Sequence, residues 1–211
     1  MAADRRRTRP AGSIRLIGGQ WRSRKLPVPD LPGLRPTPDR VRETLFNWLA
    51  PVIQGSRCLD LFAGTGALGL EAASRGAAEV WLVEQDLRAV AQLRENLERL
   101  QAGQVRVVAG AVAPLLAQAP ARPFDIAFVD PPYAAGLLPA VLADLAAGAW
   151  LRPGALVYIE WPQEAAPPLP GPPWRSLRAG AVCCALYHWP GDGLASAGPP
   201  GPTVPGEDDS A

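Results

Sequence analysis

The sequence predicts an α/β fold in which a mostly parallel sheet is covered by helices on both faces. Runs of continuous apolar residues, typical of strands buried on both sides, alternate with segments of helical periodicity. After the last of these helices, two adjacent strand patterns indicate an antiparallel hairpin at the edge of the sheet. We expect seven strands, at residues 57–62, 79–85, 105–110, 124–130, 155–161, 174–180 and 181–189.

The helices are predicted from caps, glycines and apolar stripes. Thr37 is expected to cap a helix that has Pro38 in its first position and ends before Pro51. Three later helices are expected to end near residues 75, 100 and 147.

The domain organisation follows from these elements and from composition. A short strand is expected at 13–19, followed by a proline-rich stretch. We predict an N-terminal extension and helix at 13–51, a sheet domain at 52–190, and disordered tails at 1–12 and 191–211, because the tails are too polar or too rich in Gly and Pro to bury a core.

Charge is unevenly distributed along a chain whose formal net charge is only +1. Roughly half of its 21 Lys and Arg residues lie within the first 42 positions. Such a segment is typical of a surface that meets phosphate groups, although a solvated tail explains the run from Arg5 to Arg9 equally well. Net charge itself says nothing about partners.

Cysteine usage and hydropathy narrow the class of protein. Cys58, Cys183 and Cys184 do not have the spacing of metal ligands, so we expect reduced thiols and no metal ion. No apolar run is long enough to cross a bilayer, and the N-terminus lacks the apolar segment of a signal peptide. These observations predict a cytoplasmic protein that does not engage a membrane.

A glycine-rich loop separates the first strand of the sheet from its helix. Gly64, Gly66 and Gly69 have the spacing G-x-G-x-x-G, and Glu84 ends the next strand. Backbone N–H groups at such a helix N-terminus can approach a dinucleotide or S-adenosylmethionine, while the acid accepts hydrogen bonds from ribose hydroxyls. Asp60, at the end of the first strand, favours S-adenosylmethionine because a carboxylate attracts its sulfonium and ammonium groups but repels a pyrophosphate.

Asp130, Pro131, Pro132 and Tyr133 follow the fourth sheet strand, at the edge where open α/β sheets bind ligands. These residues suit methylation of an exocyclic amino group on a nucleic-acid base, whose lone pair is delocalised into the ring. Hydrogen bonds from the amine to the Asp130 carboxylate and the Pro131 carbonyl would direct the lone pair towards the methyl group. The prolines stiffen the turn, and Tyr133 offers a flat face to an unstacked base. Asp130 acts here by positioning the amine and not as a general base.

The chain also resembles the bacterial 16S ribosomal RNA guanine-N2 methyltransferases, the RsmD family. The segments that carry the resemblance are residues 14–30, 35–51, 59–76 and 128–133. It runs from about Ser13 to Trp189 and implies a Rossmann-like class I methyltransferase fold with a small basic N-terminal extension. It also implies S-adenosyl-L-methionine as cofactor and methylation of guanine 966 at N2 within a partly assembled small ribosomal subunit. We expect the protein to act as a monomer.

The resemblance assigns roles to residues that match the family's motifs. The catalytic tip comprises Asp130, Pro131, Pro132 and Tyr133, and the cofactor positions are Asp60, Gly64, Gly66 and Glu84. We add Phe62, beside the glycine loop, and Gly110 and Ala111, after the third strand. At this last place such enzymes usually present Asp or Asn to the cofactor's adenine, so here the contact must come from the backbone or from elsewhere.

The basic N-terminal segment is then expected to contact RNA phosphates. The candidates are Arg15, Arg22, Arg24, Lys25, Arg35 and Arg40. Trp21 is expected either to stack on a base or to pack in the core.

Three alternative functions stay open at this stage. The first is adenine-N6 methylation of DNA or RNA, which the Asp-Pro-Pro-Tyr tip does not exclude. The second is a nicotinamide oxidoreductase, which Asp60 and the tip disfavour. The third is a non-catalytic, RNA-binding ribosome assembly factor, which the departure at Ala111 keeps open.

Overall fold

The computed structural model describes residues 12–31, 36–132 and 136–189. Arg35 and Tyr133 lie outside these ranges, and so do both predicted tails except for Gly12. The elements in chain order are β1 (Gly12–Arg15), β2 (Lys25–Val28), α1 (Asp39–Leu49), β3 (Arg57–Asp60), α2 (Ala67–Ser74), β4 (Glu79–Glu84), α3 (Leu87–Leu100), β5 (Val105–Ala109), α4 (Val112–Leu116), β6 (Phe124–Val129), α5 (Leu138–Ala147), β7 (Leu151–Pro162), β8 (Arg175–Ala179) and β9 (Val182–His188).

Seven strands form one sheet in the order β5-β4-β3-β6-β7-β9-β8. The strands from β3 to β7 run parallel to one another, and β9 is antiparallel to both β7 and β8. This confirms the predicted mostly parallel sheet with an antiparallel hairpin at its edge. β3 and β6 are neighbours although β4 and β5 lie between them in sequence, so the order of the sheet switches there and leaves a crevice at the carboxyl ends of the strands.

Helices cover both faces of this sheet, as predicted. Phe128 and Val129 are consecutive in β6 and belong to different hydrophobic clusters, because successive strand side chains point to opposite faces. The first cluster includes residues of α1, α2 and α3, and the second includes residues of α4 and α5. Within the residues described, no helix combines the length and the apolarity that a bilayer span requires.

The chain before the sheet forms a small two-stranded antiparallel sheet of β1 and β2. The buried side chains of Ile14, Leu16, Trp21 and Leu26 belong to the same hydrophobic cluster as α1 and α2. Trp21 is therefore a packing residue, one of the two roles left open by the sequence. The division of the chain at residue 51 stays a prediction.

A buried carboxylate in α2 fixes the path of the chain after β1. Glu71, which is fully buried, accepts hydrogen bonds from the N–H groups of Ile17 and Gly18 at 2.8 Å each, and from Arg75 Nε at 2.7 Å. The strand predicted at 13–19 ends at Arg15: the Leu16 N–H still donates to the Arg24 backbone oxygen, but the N–H groups of Ile17 and Gly18 turn to the Glu71 side chain. A short 3-10 helix at Gly19–Trp21 follows.

One helix start and two whole elements also differ from prediction. Helix α1 begins at Asp39 with Pro38 in the capping position, and Thr37 makes no capping hydrogen bond because its hydroxyl donates to Glu160 instead. Strand β2 and helix α4 were not predicted. A proline interrupts the strand pattern of β2, and α4 has only five residues, too few to show helical periodicity.

Candidate active site

The loops that follow four parallel strands meet at the carboxyl edge of the sheet. Asp60 ends β3, Glu84 ends β4, Gly110 follows β5 and Asp130 follows β6. β3 lies between β4 and β6, and Asp60 pairs in register with Phe128, two residues before Asp130. The structure thus brings the predicted cofactor residues and the start of the predicted catalytic tip to one edge, at the point where the strand order switches.

Two carboxylates accept hydrogen bonds from the backbone of the glycine-rich segment. Gly64 and Gly66 have φ angles of +52° and +78°, in the left-handed region that favours glycine. The Glu84 carboxylate accepts a hydrogen bond from the Gly64 N–H at 2.8 Å, and Asp60 accepts one from the Gly69 N–H at 3.0 Å. Both acids therefore shape the loop in addition to any contact with a ligand.

Gly69 allows helix α2 to approach the sheet. A Cβ atom there would lie 2.2 Å from Leu82 Cδ2 and 3.2 Å from Asp60 Oδ2, both of them buried side chains. We expect Gly69→Ala to lower the free energy of unfolding by about 1–3 kcal/mol, measured by urea denaturation, because the helix must move away from the sheet. Gly103→Ala is the matched control, since its Cβ would meet nothing within 4 Å. Equal stability of the two variants would contradict this account.

Asp130 and Asp60 both have raised pKa values. Burial, together with the carboxyl groups of Glu160 and Asp60, raises the pKa of Asp130 to about 8. Burial raises the pKa of Asp60 to about 7. Hydrogen bonds from backbone N–H groups oppose this rise, and the nearby Glu84 carboxylate adds to it. Among the described residues, no Lys or Arg side chain pairs with either group.

Glu160, in β7, is a third acid at this edge and was missed by the sequence analysis. Its Oε1 atom accepts hydrogen bonds from the Tyr158 hydroxyl at 2.8 Å and from the Thr37 hydroxyl at 3.4 Å. Burial raises the pKa of Glu160 against the effect of these two donors. One signal for it was available in the sequence: an acid near the carboxyl end of an otherwise apolar parallel strand. Burying a carboxyl group costs free energy, so an acid in such a strand suggests a functional role.

The other predicted catalytic and cofactor residues that the structure describes lie at the same edge and differ in exposure. Pro131 is buried and Pro132 is exposed. Phe62 is half-buried after β3 and packs against the second hydrophobic cluster. Gly110 and Ala111 are exposed between β5 and α4 and offer no polar side chain, so the adenine contact assigned to them stays a prediction.

The predicted RNA-binding residues that the structure describes lie on the β1–β2 segment and at the start of α1. Arg24 donates a hydrogen bond to the backbone oxygen of Arg99, in the last turn of α3, whereas the first turn of that helix is at the active-site edge. The turn that carries Arg22 and Arg24 therefore lies at the far end of α3 from Asp130.

Arg15 and Arg40 lie nearer to the candidate active site than Arg24 does. Arg15 Nη2 donates to Asp39 Oδ2 at 3.0 Å, and Asp39 begins α1 just after Thr37, which contacts Glu160. Arg40, the next residue, is exposed. Lys25 is exposed and pairs in register with Arg15.

The site fits a ligand that carries positive charge. Three buried or largely buried carboxyl groups lie beside a glycine loop at a helix N-terminus, and no described cation neutralises them. A sulfonium and an ammonium group would be attracted there, whereas a pyrophosphate would be repelled. The strand order and this site define a class I methyltransferase, the class whose methyl donor is S-adenosyl-L-methionine.

Comparisons with known proteins place the chain more narrowly. The family model described as conserved hypothetical protein 95 matches residues 14–188. The chain is 52% identical over 190 residues to ribosomal RNA small subunit methyltransferase D of Escherichia coli (strain K12), covering 89% of this chain and 96% of that protein. For the protein of the same name from Haemophilus influenzae the identity is 44%, covering 84% and 94%. The chain belongs to this family, the RsmD family of methyltransferases.

Solved structures agree with this assignment. The protein yhhF from Escherichia coli superposes with a TM-score of 0.78 at 51% identity, covering 86% of this chain and all of that one. An RNA methyltransferase from Salinibacter ruber, solved in complex with S-adenosyl-L-homocysteine, has a TM-score of 0.60 at 19% identity, covering 78% of this chain and all of that one. The second similarity supports the fold alone.

Proposed function

We propose that this protein methylates ribosomal RNA of the small subunit and that its target is the exocyclic N2 of a guanine, position 966 of 16S RNA. The names of its relatives support the RNA class. The observation that carries the chemistry is the Asp130 carboxyl group, held at the switch point of the sheet with no described cation beside it. A group in that position is suited to accept hydrogen bonds from an amine.

The residues of the tip would act by positioning. The Asp130 carboxylate and the Pro131 carbonyl accept hydrogen bonds from the two N–H groups of the amine and aim its lone pair out of the plane of the ring. Proline has no backbone N–H, so Pro131 and Pro132 place no competing donor beside the amine. When bound, S-adenosyl-L-methionine supplies a sulfonium methyl group already activated for transfer. The stacking role of Tyr133 remains part of the proposal.

The cofactor would lie along the glycine loop. Gly64 and Gly66 leave the loop without side chains, and Glu84 offers its remaining lone pairs to ribose hydroxyls. Asp60 would contribute negative charge at the end of β3, and Phe62, Gly110 and Ala111 would border the nucleoside.

The substrate we propose is 16S RNA in a partly assembled small subunit, bound in the cytoplasm by a monomer of the protein. RNA phosphates would meet Arg15 and Arg40 beside the start of α1, and RNA that extends along the β1–β2 segment would reach Lys25, Arg22 and Arg24.

Removing Arg40 should therefore impair the reaction more than removing Arg24. We expect Arg40→Ala to lower kcat/KM for the RNA substrate about tenfold, the equivalent of one hydrogen bond to a charged group, and to reduce the salt dependence. Arg24→Ala, at the far end of α3, is the matched control and should have a smaller effect. An equal or larger loss for Arg24→Ala would contradict this placement of the RNA.

The direct test is methyl transfer from labelled S-adenosyl-L-methionine to partly assembled small subunits that lack the modification, with naked RNA and DNA in parallel, followed by nucleoside analysis. We expect N2-methylguanosine, and only with the subunits. N6-methyladenine in any substrate would leave the chemistry intact but overturn the target. Absence of transfer to every substrate would favour the non-catalytic assembly factor.

A further inference from the structure

Glu160 lies beside the catalytic aspartate on the adjacent strand. Val129 of β6 and Ile159 of β7 are partners in register, and both belong to the second hydrophobic cluster. Side chains alternate along strands about 4.8 Å apart, so the next residues, Asp130 and Glu160, project side by side towards the opposite face. The two carboxyl groups are close enough to influence each other electrostatically.

Only one of the two carboxylate oxygens of Glu160 has a donor among the described residues. The hydroxyls of Tyr158 and Thr37 both donate to Oε1, which fixes the orientation of the group. No described residue donates to Oε2. Oε2 is not among the described side-chain atoms that are both fully buried and unpartnered, so it is accessible at the site and suited to accept a hydrogen bond from a ligand N–H.

The Watson–Crick edge of guanine offers two kinds of donor in adjacent positions, the exocyclic N2 amino group and the ring N1–H. Adenine has an acceptor at N1, which a carboxylate would repel. Resting on the function proposed above, we propose that Glu160 accepts a hydrogen bond from guanine N1–H while Asp130 holds the N2 amino group. Glu160 is then a specificity-determining residue that selects guanine, a choice that the Asp-Pro-Pro-Tyr tip alone does not make.

Base analogues at the target position test this without any mutation. 2-Aminopurine and 2,6-diaminopurine both carry the amino group to be methylated but have an acceptor at N1, and they differ from each other at position 6. Partly assembled small subunits whose RNA is ligated to contain each base should be methylated by the wild-type protein with a kcat/KM about 10- to 100-fold below that for guanine, the range expected for one discriminating base contact. Methylation of both analogues as efficiently as guanine would overturn the inference.

A variant at Glu160 should reduce this preference. The amide of Glu160→Gln can donate to an N1 acceptor, so we expect kcat/KM for guanine to fall about 10- to 100-fold and the preference for guanine over the two analogues to shrink to within a few-fold. Glu164→Gln, in the exposed segment after β7, is the matched control and should retain the wild-type preference. Cofactor affinity and thermal unfolding are measured on each variant.

The outcomes separate this inference from the function on which it rests. If wild-type protein does not methylate guanine, the proposed function fails and the inference falls with it. If wild type methylates guanine but Glu160→Gln lowers activity on all three bases equally, Glu160 is only structural, and the inference alone is overturned. A preference that shrinks in Glu160→Gln and persists in Glu164→Gln supports it.

Discussion

Replacing Asp130 with asparagine should nearly abolish methyl transfer and at the same time stabilise the protein at alkaline pH. An amide accepts hydrogen bonds more weakly than a carboxylate and presents an N–H where the amine needs an acceptor. Loss of one such positioned group is expected to lower kcat by about 10²–10³-fold. The affinity for S-adenosyl-L-methionine, measured by calorimetry, should change much less, because the glycine loop is intact.

The gain in stability follows from the raised pKa of Asp130. In the folded protein this pKa is about 8, against an ordinary value of 3.8. Between these values the folded state retains a proton that the unfolded state has lost, so the stability of the wild type falls as pH rises through this window. Asparagine never ionises. We therefore expect Asp130→Asn to have a higher Tm than the wild type at pH 9 and nearly the same Tm at pH 4.

Asp30→Asn is the control for both measurements because Asp30 is exposed and distant in sequence from the site. It should match the wild type in activity and in the pH dependence of its Tm. Wild-type activity in Asp130→Asn would overturn the positioning mechanism. Equal Tm values at pH 9 would show that Asp130 is not desolvated as the structure indicates.

Glu71→Ala should be among the most destabilising single substitutions in the chain. The fully buried Glu71 carboxylate forms an ion pair with Arg75 at 2.7 Å and lies 3.5 Å from Nη1 of Arg42, an atom that has no hydrogen-bond partner among the described residues. Without the carboxylate, the buried Nη1 atom of Arg42 has no negative charge beside it. The N–H groups of Ile17 and Gly18 also lose their hydrogen-bond acceptor. We expect the free energy of unfolding to fall by about 3–5 kcal/mol, measured by urea denaturation.

A second helical pair provides the matched control. Glu95 and Arg99 in α3 are four residues apart, as are Glu71 in α2 and Arg75 directly after it, but the side chains of Glu95 and Arg99 are more than half exposed and their charged atoms are 3.7 Å apart. We expect Glu95→Ala to change stability by less than about 1 kcal/mol, as for other surface ion pairs. A similar cost for the two substitutions would mean that Glu71 does not anchor the N-terminal segment.

The candidate site was largely predictable from the sequence because its main residues belong to local patterns. The glycine loop at Gly64 to Gly69 and the tip at Asp130 each directly follow an apolar strand. In a parallel sheet the carboxyl ends of strands share one edge, so recognising the strands was enough to place both motifs at the same edge. The same reasoning would have placed an acid in a later strand there, but Glu160 lay inside an apolar run with no turn residue to mark it.

The N-terminal segment shows where local patterns stop being sufficient. Its basic residues were predicted from charge alone, and the structure gives two of them specific partners: Arg24 contacts the last turn of α3, and Arg15 contacts Asp39 at the start of α1. Thr37 has the sequence of a helix cap and instead binds Glu160, 123 residues away. Neither pairing leaves a trace in hydrophobic periodicity.

The sequence by itself determined the fold class, the parallel order of apolar strands and helices, and the two motifs of the site. Periodicity, glycine and proline act over a few residues and can be read without knowing any partner. Only the tertiary structure decided the partners of the buried polar groups: Glu71 with the N-terminal backbone, and Thr37 and Tyr158 with Glu160. A buried charge must find donors wherever the fold supplies them, and those donors come from distant parts of the chain.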